Sequence, residues 1–280
     1  MRTDFRVRFH IFMARFYIHK SNGEKEYFQD KKLLGSLIKA SLDKGQATSM
    51  VKEIKKEVIS GATSDDIHAI AYKKLCKTHL PQAQLYNLRK ALADIPPKMF
   101  EQFVQKILDA DGYKTEWEKI VTGAGTRHEV DVVAKKDKRC FLVECKRRGN
   151  WHKPSGLGKV LIVRARYEDI LDGNSKGKNN YPFTKAWLIN NAKFSQHAKE
   201  YAEYKGIWLT GWGYPKDMGI NEWIQHLQVY PITMLRMQKR QVSALLNAGV
   251  LTFSDLETKE EKTAKRILRG NEYNNVLKQI

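Results

Sequence analysis

The stretch that decides the fold is His128-Glu129-Val130-Asp131-Val132-Val133-Ala134, then Lys135-Lys136-Asp137-Lys138-Arg139, then Cys140-Phe141-Leu142-Val143-Glu144-Cys145-Lys146. Two segments rich in β-branched and apolar residues flank a short charged one, the pattern of a β-hairpin. If the turn centres on Asp137 and Lys138, Val133 faces Leu142, Asp131 faces Glu144 and Glu129 faces Lys146. Opposed residues of an antiparallel pair share a face with Cβ atoms about 5 Å apart, and like charges placed so destabilise the pair. Two carboxylates opposed within an apolar hairpin therefore call for a third partner. A divalent metal with oxygen ligands, Mg²⁺ or Mn²⁺, supplies one. Lys146 lies on the same face as Glu144, because strand side chains alternate. An ammonium there can orient or deprotonate a metal-bound water and balance charge growing on a phosphate. Asp131 and Glu144 are thus candidate metal ligands, and Lys146 a candidate catalytic lysine for phosphodiester hydrolysis. The competing arrangement is a Glu129–Lys146 ion pair across the strands, with Asp131 and Glu144 facing solvent.

Around this hairpin the chain alternates helix and strand patterns. Phe100, Phe103, Val104, Ile107 and Leu108 mark an amphipathic helix, and strand-like runs recur at residues 187–189 and 207–209. That succession predicts an α/β (α+β) core with a mixed sheet flanked by helices. A helix over residues 161–171 brings Arg164 and Arg166 towards phosphate, and Arg147, Arg148 and Lys153 add basic groups just after Lys146. Upstream, residues 16–18 and 26–28 form a small hairpin about Asn22-Gly23, followed by helical spacing. Thr63 or Ser64 caps one of those helices, and Pro96-Pro97 punctuates the chain. From Gly213 onward the pattern is helical, at residues 222–227 and 233–246. The expected organisation is an unassigned extension over residues 1–15, a mainly helical module over 16–95, the α/β core over 96–215 and a small helical tail over 216–280.

The 280 residues carry a formal net charge of +19, which points to a polyanionic partner, foremost nucleic acid. An apolar share of 42 % is enough for real cores and excludes wholesale disorder. No 18-residue apolar run exists, so a membrane span is excluded, and a cytoplasmic protein is expected. Cys76, Cys140 and Cys145 cannot build a disulfide framework, and neither a CxxC pair nor an HExxH element offers a zinc site. No P-loop motif is present.

Met99-Phe100-Glu101-Gln102-Phe103-Val104, Val130-Asp131-Val132-Val133 and Leu142-Val143-Glu144-Cys145-Lys146 together resemble the PD-(D/E)xK nuclease superfamily, specifically its Mrr-like restriction endonuclease branch. The resemblance covers residues 97–215, and Val130 stands where the motif often has proline. It implies that Asp131 and Glu144 bind Mg²⁺, that Lys146 is the catalytic lysine, and that Glu101 approaches the metal from the first helix. His128 and Glu129 are left between a supporting or scissile-strand role and a purely structural one.

A second resemblance rests on Ile18-His19-Lys20-Ser21-Asn22-Gly23-Glu24-Lys25-Glu26-Tyr27-Phe28, Lys32-Leu33, the segment from Thr63 to Ile67, and Ala83, Tyr86 and Arg89. Residues 14–95 look like an ATP-cone, a small regulatory nucleotide-binding domain. It implies that Lys20, the Asn22-Gly23 hairpin and Lys32 approach the phosphates of ATP or dATP. At the other end, the stretch from Leu245 to Leu256, centred on Gly249, resembles a helix-hairpin-helix that presents backbone N–H groups to a DNA phosphate. The whole reading is a Mg²⁺-dependent endonuclease for double-stranded DNA, of restriction type, regulated by a nucleotide effector and forming a homo-oligomer. A repair nuclease selective for DNA structure and a nucleotide-sensing DNA-binding regulator with an inactive nuclease fold are its rivals.

Overall fold

The structure, a computed structural model, describes residues 16–20, 23–258 and 260–280. The N-terminal extension and Asn22 of the small hairpin lie outside the described residues. The chain divides between Gln82 and Ala83 into two compact units.

In the first unit, Tyr17–His19 (β1) and Lys25–Tyr27 (β2) pair antiparallel with Tyr17 opposite Tyr27. Helices Asp30–Lys39 (α1), Lys44–Glu57 (α2) and Ser64–Thr78 (α3) follow. Local sequence sets the helix starts: Asp43 with Gln46, and Thr63 with Asp66, form reciprocal capping boxes. Leu33, Leu37, Val51, Ile54, Ile67, Ala71 and Leu75 are buried between them.

Helix Leu80–Asp94 (α4) sends Leu88, Ala91 and Leu92 into the core of the second unit, which they share with Ile95, Phe100 and Phe103. Pro96 and Pro97 therefore separate two helices of one core, whereas the sequence reading sets its domain boundary there. Pro97–Ala110 (α5) opens on Pro97, whose missing N–H is no loss in a first helical turn. Next come Lys114–Thr122 (β3), Arg127–Lys136 (β4), Arg139–Lys146 (β5), Leu157–Ser175 (α6), Lys185–Asn190 (β6), Gln196–Lys205 (α7) and Trp208–Thr210 (β7). The sheet order is β3-β4-β5-β6-β7; β3, β4 and β5 are antiparallel neighbours, while β5, β6 and β7 run parallel. The mixed sheet is as expected, but β3 is not foreseen. Lys114, Glu116, Glu118 and Lys119 give it little apolar signal, which an edge strand tolerates.

One face of the sheet packs on α4, α5 and the C-terminal helices, the other on α6 and α7. Those C-terminal helices are Ile220–Leu227 (α8), Lys239–Asn247 (α9), Phe253–Glu257 (α10), Glu261–Ile267 (α11) and Asn271–Leu277 (α12). The helix expected over residues 233–246 is shorter, because Leu235 and Gln238 are extended and a 3-10 turn fills Ile232–Met234. Leu245, Leu256, Leu268 and Val276 share a core with α5, and Lys106 Nζ donates to Asp255 Oδ1 at 2.8 Å. Among the described residues no helix is long and apolar enough to cross a membrane.

Candidate active site

The hairpin of β4 and β5 has the expected register from Lys136–Arg139 to Val132–Val143, and there the ladder stops. Val132 and Ala134 point into the α5 core, yet Val130, two residues before Val132, points into the α6 core. Strand alternation thus slips by one at Asp131. The neighbouring strand yields at the same level: Glu118 of β3 has φ +52°, and the β3–β4 pairing skips it between Trp117–Val132 and Lys119–Val130. The expected opposed pairs Asp131–Glu144 and Glu129–Lys146 are consequently not ladder pairs. Asp131 Oδ2 instead accepts the Cys145 N–H at 2.6 Å.

Asp131 and Glu144 are both buried, at 6 % and 1 % exposure. Glu144 spans two cations: Lys146 Nζ lies 2.6 Å from Oε1, and the Arg166 guanidinium on α6 donates to Oε2. Arg166 also donates to the Glu129 carbonyl at 3.2 Å. Burial, and then the nearby Glu144 charge, push the Asp131 carboxyl up to about 7, against the pull of the Cys145 N–H. Burial also raises Glu101, against the opposing Lys98 charge. For Lys146 burial works against the ammonium, but the Glu144 charge and hydrogen bond outweigh it and leave the pKa above the ordinary lysine value.

On the open side of the break, one oxygen each from Glu101, Glu129 and Asp131 lies within 4.8 Å of the others. Glu101 Oε2 is buried and makes no hydrogen bond; Lys98 Nζ lies 3.4 Å from it. Lys98 also meets Glu118 at 2.8 Å and Glu129 at 2.6 Å, and the hydrogen bonds it donates to those two raise its pKa. Closely spaced carboxylates, one with an orphaned buried oxygen, fit a hard divalent cation that takes oxygen ligands. Sequence reasoning leaves Glu129 undecided and does not register Lys98. Its one signal is its position three residues before Glu101 on α5. Arg166, read as a phosphate contact, is held by Glu144, and Arg164 is paired with Glu168 at 2.6 Å.

The other predicted residues lie elsewhere. Arg147 donates to the Ala93 carbonyl at 3.1 Å, the Arg148 N–H to Asn191 Oδ1 at 2.7 Å, and Lys153 is exposed. Gly249, at φ +83°, turns the chain after α9. The amides about this turn are committed: Gly249 N–H to Leu246, Val250 N–H to Leu245, and those of Leu251 and Thr252 to Asp255 Oδ2 at 2.9 and 2.8 Å. In the first unit, Lys20 and Lys32 both reach Glu26 Oε2, at 3.5 and 2.8 Å, and Gly23 has φ +85°.

A mixed sheet whose central hairpin ends on Asp131, Glu144 and Lys146, with Glu101 supplied by the preceding helix, has the build of a PD-(D/E)xK-type nuclease core. Residues 92–210 match the restriction endonuclease domain Mrr_cat. An uncharacterized protein of Archaeoglobus fulgidus is 34 % identical over 162 residues, 58 % of this chain and 88 % of that one. The crystal structure of a protein of unknown function, AF1548, has a TM-score of 0.55 and 32 % identity, covering 66 % of this chain and 96 % of the other. The chain belongs to the Mrr_cat restriction endonuclease family.

Proposed function

We propose that this chain is a divalent-metal-dependent endonuclease that hydrolyses phosphodiester bonds of double-stranded DNA, in a restriction or defence role within the cytoplasm. The observation that carries the reading is the meeting of Glu101, Glu129 and Asp131 beside the Glu144–Lys146 pair. Asp131, Glu144 and Glu101 are the ligands assigned to Mg²⁺ or Mn²⁺, with Glu129 as a further acid in reach. When bound, such an ion supplies positive charge to the scissile phosphate and acidifies water.

The chain's own groups divide the rest of the work. Lys146, its pKa raised beside Glu144, stays an ammonium at neutral pH. Its role is then to place the attacking water and offset charge on the phosphate, rather than to remove a proton. Arg166 holds Glu144 from α6 and fixes its orientation. Lys98 keeps the Glu101, Glu118 and Glu129 carboxylates from repelling one another when no cation is shared. In the first unit, Lys20 and Lys32 converge on one carboxylate oxygen, an arrangement suited to the phosphates of ATP or dATP as an effector. A homo-oligomer, with one centre per chain, suits cutting of both strands.

Plasmid nicking by wild type and Lys146→Ala, with DNA binding followed alongside, tests the assignment. The variant should lose cleavage by on the order of 10³-fold with binding nearly intact. Equal loss of both would remove Lys146 from the chemistry. Adding ATP or dATP to the same assay should change the nicking rate, and no response to either removes the effector.

A further inference from the structure

Directly after Lys146, the chain places more positive charge than its surroundings compensate. Arg147 and Arg148 follow on from β5, and Arg89 of α4 reaches the same loop. Arg89 Nη2 donates to the Trp151 carbonyl at 2.6 Å, with its guanidinium carbon 4.9 Å from the Trp151 ring and 5.3 Å from the Trp212 ring. Arg147 Nη1 is anchored on Ala93 O one helical turn along the same helix. Asn191 holds the Arg148 backbone at both ends, accepting from its N–H at 2.7 Å and donating to its carbonyl at 3.0 Å.

None of these three arginines makes an ion pair among the described residues, whereas the buried Glu144 of β5 is paired with both Lys146 and Arg166. Their Nε atoms are all buried without a hydrogen-bond partner. So are Ser155 Oγ, on the same loop, and Asn190 Nδ2, on the residue that pairs with Lys146 in the parallel register. Burial lowers Arg89 to about 10, yet at neutral pH it remains a cation. A buried guanidinium held by aromatic faces and one carbonyl, with no carboxylate, is costly unless an anion completes it. Gly149 adds to this: a Cβ there would come within 3.0 Å of Arg147 Nη1, so the loop is built to let that guanidinium lie close.

We infer that Arg89, flanked by Trp151 and Trp212, and Arg147, with Arg148 next to it in the chain, form a binding site for a phosphodiester group of the nucleic acid other than the one that is cut. The inference rests on the proposed nuclease reading. The geometry suits it: each DNA strand carries a phosphate about every 3.4 Å of helix axis. A strand with one phosphate at Lys146 therefore carries its neighbours past the residues that follow. Guanidinium forks match phosphate oxygens in pairs, which a lysine cannot do. The site would set which phosphate faces Lys146. Arg89 and Arg147 are then positioning residues for the substrate, not catalytic ones.

The test is duplex binding by the full-length chain without divalent metal, followed by anisotropy over a series of salt concentrations. Arg89→Ala should weaken binding about ten-fold and lower the slope of log affinity against log salt by about 0.9, the signature of one lost phosphate contact. Arg89→Lys should keep most of the slope. An Arg89→Ala variant that melts like wild type but keeps the wild-type slope overturns the inference. If Arg89→Ala does not fold, Arg147→Ala, which gives up a single carbonyl anchor, carries the same expectation and the same refutation. ATP binding by calorimetry separates the two sources of phosphate. Unchanged ATP affinity in Arg89→Ala is expected. Weakened ATP affinity with an unchanged DNA slope would assign the anion to a free nucleotide and overturn the proposal. A wild type that nicks DNA while the slopes stay equal fails this site alone. A wild type that neither binds nor nicks fails the nuclease reading, and the site with it.

Discussion

The two halves of one hairpin teach opposite lessons. Near its turn, from Lys136–Arg139 to Val132–Val143, the ladder is regular, and Val133, Leu142 and Val143 are wholly buried. That half is built for stability: Val132, Val133, Ala134, Phe141, Leu142 and Val143 are buried on its two faces, and every residue pairs as its alternation dictates. A few residues further on, the same strands lose their ladder, slip by one at Asp131 and bury Asp131 and Glu144 side by side. Burying like charges weakens a fold, so the open half has a purpose that packing does not explain.

Substitutions that act on only one half sharpen the contrast. In the closed half, Leu142→Ala should leave a cavity and destabilise the protein by about 3 kcal/mol, measured by urea unfolding. Its midpoint should fall equally with and without divalent metal, since nothing in that half holds an ion.

In the open half, Asp131→Asn should act with the opposite sign. The folded carboxyl titrates near 7, above an unfolded value of about 3.9. The protein therefore loses stability as pH rises from about 4 through 7, where the folded state must give up a proton it holds tightly. Removing the charge should stabilise the metal-free protein by about 2 kcal/mol above pH 7 and by almost nothing near pH 4, while abolishing cleavage. Thermal melts at both pH values decide it. A variant that is less stable at pH 8 would mean that the buried carboxylate is compensated.

Lys98→Gln is the mildest change. Its partners Glu118 and Glu129 are well exposed. The loss without metal should stay under about 1 kcal/mol. Excess Mn²⁺ should offset that loss in a melt, and a deficit that persists in Mn²⁺ would make Lys98 a plain structural contact.

The closed half was legible in the sequence: Asp137 and Lys138 sit between two apolar runs, and a turn centred on them sets the register. The same is true of the cap at Thr63 and of the apolar face of α5, whereas the Asp43 cap emerges only in the structure. The open half was legible only in its residue types. Asp131, Glu144, Lys146 and Glu101 could be named, but not the slip that turns Val130 and Val132 to opposite cores, since it depends on Glu118 at φ +52° in a strand with little apolar signal. With β3 unplaced, the Glu118 partner of Lys98 was not visible. Arg166 likewise looked like one more basic residue on a helix, because its partner Glu144 lies on a strand far away in sequence.

On the proposed function, the broken end of the hairpin is a metal-dependent nuclease centre. Nicking of supercoiled plasmid by the full-length chain, with Mg²⁺, with Mn²⁺ and in a chelator, tests it most directly. Relaxed plasmid is expected with either ion, intact plasmid in chelator, and intact plasmid for Asp131→Asn throughout. Plasmid left supercoiled with every divalent ion, or nicked equally by Asp131→Asn, would contradict it.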